Sequence, residues 1–207
     1  SPFFSSDEAN NPSKEDFSVD MNFETYHNNR STRIKNLIEA EDKISYADFK
    51  RIKYDNQLPK PYVYSWMNIN YLDLMDASKY PEISELIERV QQWDRKTYAT
   101  SLGAGTYLIL YHQLYPFYNA LPVPKIIPTS VLVKAFKNAK AHMLKHFGTI
   151  NVSLGDYQKL VRGDKELPVF GINDVVTAMS SVPHKDGKVK VTAGESYIEL
   201  VKFTPEG

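Results

Sequence analysis

The chain has 207 residues, 25 Lys and Arg against 25 Asp and Glu, and no cysteine. A composition of 42% hydrophobic and 13% aromatic residues excludes disorder throughout and suits a globule of one or two domains. Zero net charge argues against nucleic acid or an anionic membrane as partner, and the lack of cysteine excludes disulfides, thiolate catalysis and cysteine-ligated zinc.

Residues 1–20 read as an extended entry segment, rich in Ser, Asn, Asp and Pro, with Asn10-Asn11-Pro12 as a turn. The opening Ser1-Pro2-Phe3-Phe4-Ser5-Ser6 has no basic stretch and does not read as a signal peptide. From about Asp20 a helix is expected, because Phe23, Tyr26, Arg30, Ile34, Leu37 and Ile38 recur at steps of three and four. Ser45 to Asp48 is a capping box with Asp in place of Glu, opening a short helix through Phe49 and Ile52. Tyr62–Met75 is expected to be helical, with Trp66, Ile69, Leu72 and Met75 on one side. Tyr80-Pro81 breaks the chain, and Pro81 sits in the first turn of a helix carrying Ile83, Leu86, Ile87, Val90 and Trp93.

Thr100–Tyr118 begins with small residues, Ser101, Gly103, Ala104 and Gly105, which let two segments approach closely. This helix is therefore expected at the centre. Three prolines between Leu121 and Pro128 make a connection. Thr129 or Ser130 is expected to cap a helix from Val131 to about Phe147, closed by Gly148. After Gly148 the pattern changes. Lys188–Phe203 alternates through Val189, Val191, Tyr197, Ile198, Leu200, Val201 and Phe203, which reads as a hairpin or two strands lacking partners. The fold expected is mainly α with a small terminal β part: an entry segment 1–20, a helical body 21–150 and an α/β tail 151–207. No apolar run approaches the ~20 residues of a membrane-spanning helix.

Several constellations invite chemistry. His142 and His146, one turn apart, have the spacing of a metal-binding pair, but the Glu of the zinc signature is absent, so a solvated helix face is the better reading. Asp7, Glu8, Glu15, Asp16 and Asp20 form an acidic stretch without EF-hand spacing. Gly103-Ala104-Gly105 follows no strand and is no phosphate loop. Ser1 has the residue type of an N-terminal nucleophile, whose hydroxyl attacks an acyl carbonyl with the α-amine as base. Arg30, with Arg33 a turn later, reads from composition alone as a surface residue.

Three stretches in order resemble the penicillin acylase family of N-terminal-nucleophile hydrolases, above all its acyl-homoserine lactone acylase and lipopeptide acylase branch. The first is Arg30-Ser31-Thr32-Arg33-Ile34 with Ile44-Ser45 and Asp48-Phe49. The second is Trp93-Asp94. The third is Leu154-Gly155-Asp156-Tyr157-Gln158, then Val161-Arg162-Gly163-Asp164, Leu167-Pro168, Gly171 and Asp174-Val175. The ending, Asp186-Gly187 and Ala193-Gly194-Glu195-Ser196-Tyr197, resembles the strand that follows in the family. The set spans most of the chain.

The resemblance implies a fragment of a four-layer αββα fold built from two chains of one processed precursor. It implies an amidohydrolase that cleaves the bond between an acyl chain and an amine, in a lactone, lipopeptide or penicillin-like substrate. The catalytic Ser and the oxyanion Asn would lie upstream of residue 1, so Ser1 is not the nucleophile. Arg30 matches the family's active-site Arg and is the one catalytic-site residue carried over. Asp20 stands near a calcium carboxylate of some members, with spacing about one residue different; calcium would be a structural ion, and no cofactor is required. The partners implied are the α chain and the N-terminal part of the β chain, with no nucleic acid and no membrane. The location implied is periplasmic or secreted. Alone, such a fragment is expected to be inactive. Trp66 or Tyr71 could line an acyl pocket, although core packing fits them better. The alternative is a helical binding or scaffold domain without catalysis, which would lack a large apolar face and unpaired strand edges.

Overall fold

The computed structural model describes residues 13–21, 28–60, 62, 70–120, 127–194 and 198–203. Its α-helices are α1 (Asn29–Glu39), α2 (Tyr46–Lys53), α3 (Asn70–Asp73), α4 (Ser84–Gln92), α5 (Leu102–Ala120), α6 (Thr129–Phe147) and α7 (Leu154–Tyr157). Four strands follow: β1 (Gln158–Arg162), β2 (Lys165–Pro168), β3 (Met179–Pro183) and β4 (Val189–Gly194). The chain is mainly α with a small sheet near its C-terminus, as the sequence led us to expect.

α5 is the centre. Every residue from Gly103 to Tyr111 is buried, and a helix that is apolar all round belongs inside a protein. α4 turns Leu86, Ile87 and Val90 onto it. α6 turns Leu132, Ala135, Phe136, Ala139 and Met143 onto its other side, the three-and-four spacing of one helical face. The small residues do what their spacing suggested. A side chain on Gly103 would lie 2.5 Å from the Trp93 ring, and one on Gly105 would strike the backbone of Val152–Leu154.

The helix ends follow local chemistry. Ser45 and Asp48 form the reciprocal capping box of α2. Another box, Ser153 with Asp156, opens α7 and holds the Asp156 carboxyl below its usual range. α1 starts at Asn29 and not near Asp20. Asn28 accepts from the Ser31 amide at 2.8 Å, and the Ser31 hydroxyl accepts from the Asn28 amide at 3.1 Å, which fixes the start there. Residues 14–16 and 19–21 form only single 3-10 turns. Phe23 and Tyr26 lie outside the described residues, as does Trp66. In the 62–75 segment the described helix is the single turn α3. α6 takes Pro128 as its N-cap with no side-chain bond, so Thr129 and Ser130 do not cap it. The proline supplies the extended backbone that starts the helix instead.

Gly148 ends α6 at φ 69°, with nothing within 4 Å of where a Cβ would be. Gly148→Ala therefore tests conformation alone. We expect a loss of about 1 kcal/mol, seen as a lower urea midpoint. An unchanged midpoint would contradict this account of the stop.

The sheet runs β2-β1-β4-β3. β1 pairs antiparallel with β2, β4 pairs antiparallel with β3, and a short parallel ladder, Gln158 with Val189 and Lys159 with Lys190, joins the two hairpins. Among the described residues the terminal alternation thus yields one strand, Val189–Gly194, and it is interior. Among the described residues the edge strands are β2 and β3. Residues 198–203 form no strand; the Tyr46 hydroxyl of α2 donates to the Leu200 carbonyl at 3.3 Å. Glu166 of β2 binds Lys188 and Lys185, each at 2.9 Å, which pulls its carboxyl down to about 2.

Candidate functional site

The capping box that starts α1 sets Arg30 and Arg33 one turn apart, and both reach across to other parts of the chain. Arg30 is exposed as a residue, yet its Nη2 donates to the Val176 carbonyl at 3.1 Å. Arg33 makes a bidentate pair with Asp55, Nε to Oδ1 at 2.9 Å and Nη2 to Oδ2 at 2.7 Å, and also donates to Gln57 Oε1 at 3.1 Å. The two side chains of that pair are only 21% and 14% exposed. A planar guanidinium meeting a carboxylate this way is directional as well as attractive.

The Val176 carbonyl belongs to a loop, residues 169–178, that the rest of the chain holds at several points. Its Gly171 amide donates to Thr97 O at 3.1 Å, and Gln158 Nε2 donates to Gly171 O at 2.8 Å. The Thr177 amide and hydroxyl both donate to the Asp55 carbonyl at 3.2 Å. Asp174, at the loop's bend, takes a left-handed φ of 69°, a conformation that non-glycine residues adopt at some cost. Residues 55–58 run beside 95–97: the Thr97 amide donates to Asn56 O at 3.0 Å and the Leu58 amide to Arg95 O at 3.0 Å. Arg95 is buried at φ 62°, and its guanidinium donates to Pro59 O and to Asp73 Oδ2, both at 2.9 Å.

The three stretches that carried the resemblance therefore meet in space. Arg30 and Arg33 come from the first and Gln158, Gly171 and Asp174 from the third. Asp94, from the second, accepts Gln57 Nε2 at its carbonyl at 3.1 Å. Spacing along the chain gave no sign of Asp55, Thr177 or Arg95. The polar run Asp55-Asn56-Gln57 was the available signal, but it resembles any loop.

Beside this loop lies a tyrosine cluster. Tyr62 and Tyr107 are hydrogen-bonded, and burial pushes both hydroxyls up in pKa. Asn173 Nδ2 donates to the Tyr111 hydroxyl at 2.9 Å and the Ser180 hydroxyl donates to Asn173 Oδ1 at 3.0 Å. The cavity among Tyr62, Tyr107, Tyr111 and Asn173 measures about 10 Å³. That is room for about one water, far below the several hundred Å³ of a substrate pocket. Tyr71 packs against the core and lines a different, open cleft of about 400 Å³ with Leu74, Met75, Tyr80 and Leu132.

The other candidates stand apart. Asp20 is exposed in a 3-10 turn, and no group of three or more His, Cys, Asp or Glu able to hold a metal exists among the described residues. His142 is half-buried, not solvated: its Nε2 lies 2.7 Å from Gly187 O, which ties α6 to the turn before β4. Ser1 lies outside the described residues.

A model of the penicillin amidase family matches residues 7–207. The chain belongs to this family. A stretch of 56 residues is also 36% identical to the acyl-homoserine lactone acylase PvdQ of Pseudomonas fluorescens (strain Pf0-1). That match covers 26% of this chain and 7% of the length of PvdQ. For a penicillin amidase chain, the meeting of α1 with the 55–58 and 169–178 segments is the described region where the quoted motifs converge. No helix among the described residues is long and apolar enough to cross a membrane.

Proposed function

We propose that this chain is a C-terminal part of the β chain of an acylase, whose complete form hydrolyses the amide between an acyl chain and an amine. Acyl-homoserine lactones, lipopeptides and penicillin-like amides are the substrate classes. The serine nucleophile and the oxyanion Asn come from the rest of the same precursor, and the complete enzyme works in the periplasm or outside the cell. The observation that supports this best is the family match over residues 7–207 together with Arg30 held at a point where separate motif stretches meet.

The chemistry follows from what acyl transfer requires. Attack on the amide carbonyl places negative charge on its oxygen, and fixed hydrogen-bond donors stabilise that charge in the transition state. A guanidinium brings a positive charge and a planar fork of donors. Anchored on Val176 O, that of Arg30 positions the oxyanion Asn and adds positive potential to the site. The chain alone lacks the attacking hydroxyl and forms no acyl-enzyme.

The test has two parts. In the full-length enzyme, Arg30→Ala should lower kcat for an acyl-homoserine lactone by about 10²-fold, the low end of what removing one oxyanion donor does. The isolated chain should release no more homoserine lactone than a heat-denatured sample. Turnover by the isolated chain, or full activity in the Arg30→Ala enzyme, would refute the assignment.

A further inference from the structure

Arg30 is one link in a closed ring of contacts. Its guanidinium holds the Val176 carbonyl; the next residue, Thr177, donates twice to the Asp55 carbonyl; the Asp55 carboxylate grips Arg33; and Arg33 returns to α1 one turn from Arg30. The Asp55 carboxylate is further steadied by the Gln57 amide at 3.2 Å. Asp55 thus uses its side chain on the helix and its backbone on the loop. Both ends of Arg30's anchorage, the helix that carries it and the carbonyl that receives it, are referred to this one residue.

We propose that Asp55, through its pair with Arg33, is a positioning residue for Arg30 in the acyl-transfer site. The proposal rests on the reading of Arg30 given above. The physical need is clear. A guanidinium at the end of a long side chain has many rotamers, and a hydrogen bond such as that to Val176 O fixes its direction only if the helix and the loop keep their separation. Fixing α1 against the 169–178 loop narrows the range of separations between Arg30 Cα and Val176 O, so the guanidinium keeps one direction. A charge that must meet a developing oxyanion loses much of its value when it moves by an ångström; such a misplacement can cost about 10²-fold in rate. Because the Arg33–Asp55 pair is mostly shielded from water, it restrains more than a surface ion pair would. The bidentate geometry also makes Arg33 irreplaceable by Lys, which offers a point charge and no fork.

The experiment uses the full-length enzyme with Arg30→Ala, Arg33→Lys, Asp55→Asn and the double variant Arg30→Ala/Asp55→Asn, assayed on an acyl-homoserine lactone. Amide hydrogen exchange is followed at residues 174–178 and, as a folding control, at residues 103–111. We expect Asp55→Asn and Arg33→Lys to lower kcat by roughly 10- to 10²-fold with little change in KM. Exchange should rise at 174–178 and stay slow in α5. The double variant should be no slower than Arg30→Ala, because residues that act through one group are not additive. If Asp55→Asn loosens the loop but keeps its kcat, or if the double variant multiplies the two losses, positioning is overturned while Arg30's role stands. If Arg30→Ala alone keeps full activity, the parent assignment falls and this proposal with it.

Discussion

Gly105→Val should remove a large part of the stability of this chain, and Gly105→Ala a measurable share of it. A Cβ at position 105 would lie 2.7 Å from the Ser153 carbonyl carbon and 2.9 Å from the Leu154 amide nitrogen, and would strike the Val152 carbonyl oxygen. These are backbone atoms and cannot swing aside. They are also tied down, since the Leu154 amide donates to Ser101 O at 3.0 Å and the Gly155 amide to Ala99 O at 2.7 Å. Two effects oppose each other for alanine. Helix propensity favours it over glycine by about 1 kcal/mol, whereas overpacking a tight contact costs about 1–3 kcal/mol and occasionally more. With backbone on the receiving side the overpacking wins, and we expect a net loss of about 2 kcal/mol for Ala. Valine adds two methyl groups and β-branching, for about 4 kcal/mol or more, against a typical total of 5–15 kcal/mol. Urea midpoints of the two variants, beside Gly148→Ala as a helix-end control, measure this. A midpoint raised by Gly105→Ala would show that α5 and the 152–154 segment are not in contact as described.

Acid should loosen the chain through its half-buried histidines, His112 and His142, before it acts on most carboxylates. His112 sits in α5 with its Nδ1 3.0 Å from the Tyr157 hydroxyl, and burial lowers its pKa to about 4. Burial also lowers His142, with the neighbouring His146 and Lys145 adding repulsion. A histidine whose folded pKa lies below the unfolded value of ~6.5 binds fewer protons when folded, so its contribution is complete above that value. It is lost as pH falls from about 6.5 towards the folded pKa, and for His112 the loss reaches about 3 kcal/mol at pH 4. The carboxylates held low, such as Glu166 at about 2, lose their contribution only below about 4.5, so the two windows separate. Denaturation midpoints at pH 7, 5.5 and 4.5 should fall steadily in the natural chain and much less in His112→Gln. Parallel slopes for the two would rule out His112 as the source.

Much of this was legible before any coordinates. Ser45 with Asp48, Gly148 after Phe147, and the small residues opening α5 each act within a turn or two of chain, or state directly how much space a residue occupies. Local hydrogen bonding and side-chain volume are properties of the sequence itself, so these readings needed no partner. The ordered stretches around Arg30, Trp93 and Leu154–Asp174 likewise carried the family likeness.

What the sequence could not state is which segments meet. The alternation in Lys188–Phe203 shows strand-like residues but does not name the neighbour, and pairing with β1 and β3 made Val189–Gly194 interior while leaving residues 198–203 outside any ladder. Asp55 looked like one acid in a polar loop. Its importance arises only because folding brings Arg33, 22 positions earlier, to its carboxylate and Thr177, 122 positions later, to its carbonyl. Local spacing decided most of the elements, and the ordered motif stretches resembled the family whose model matches residues 7–207; long-range hydrogen bonds, whose partners only folding sets, brought the candidate site together.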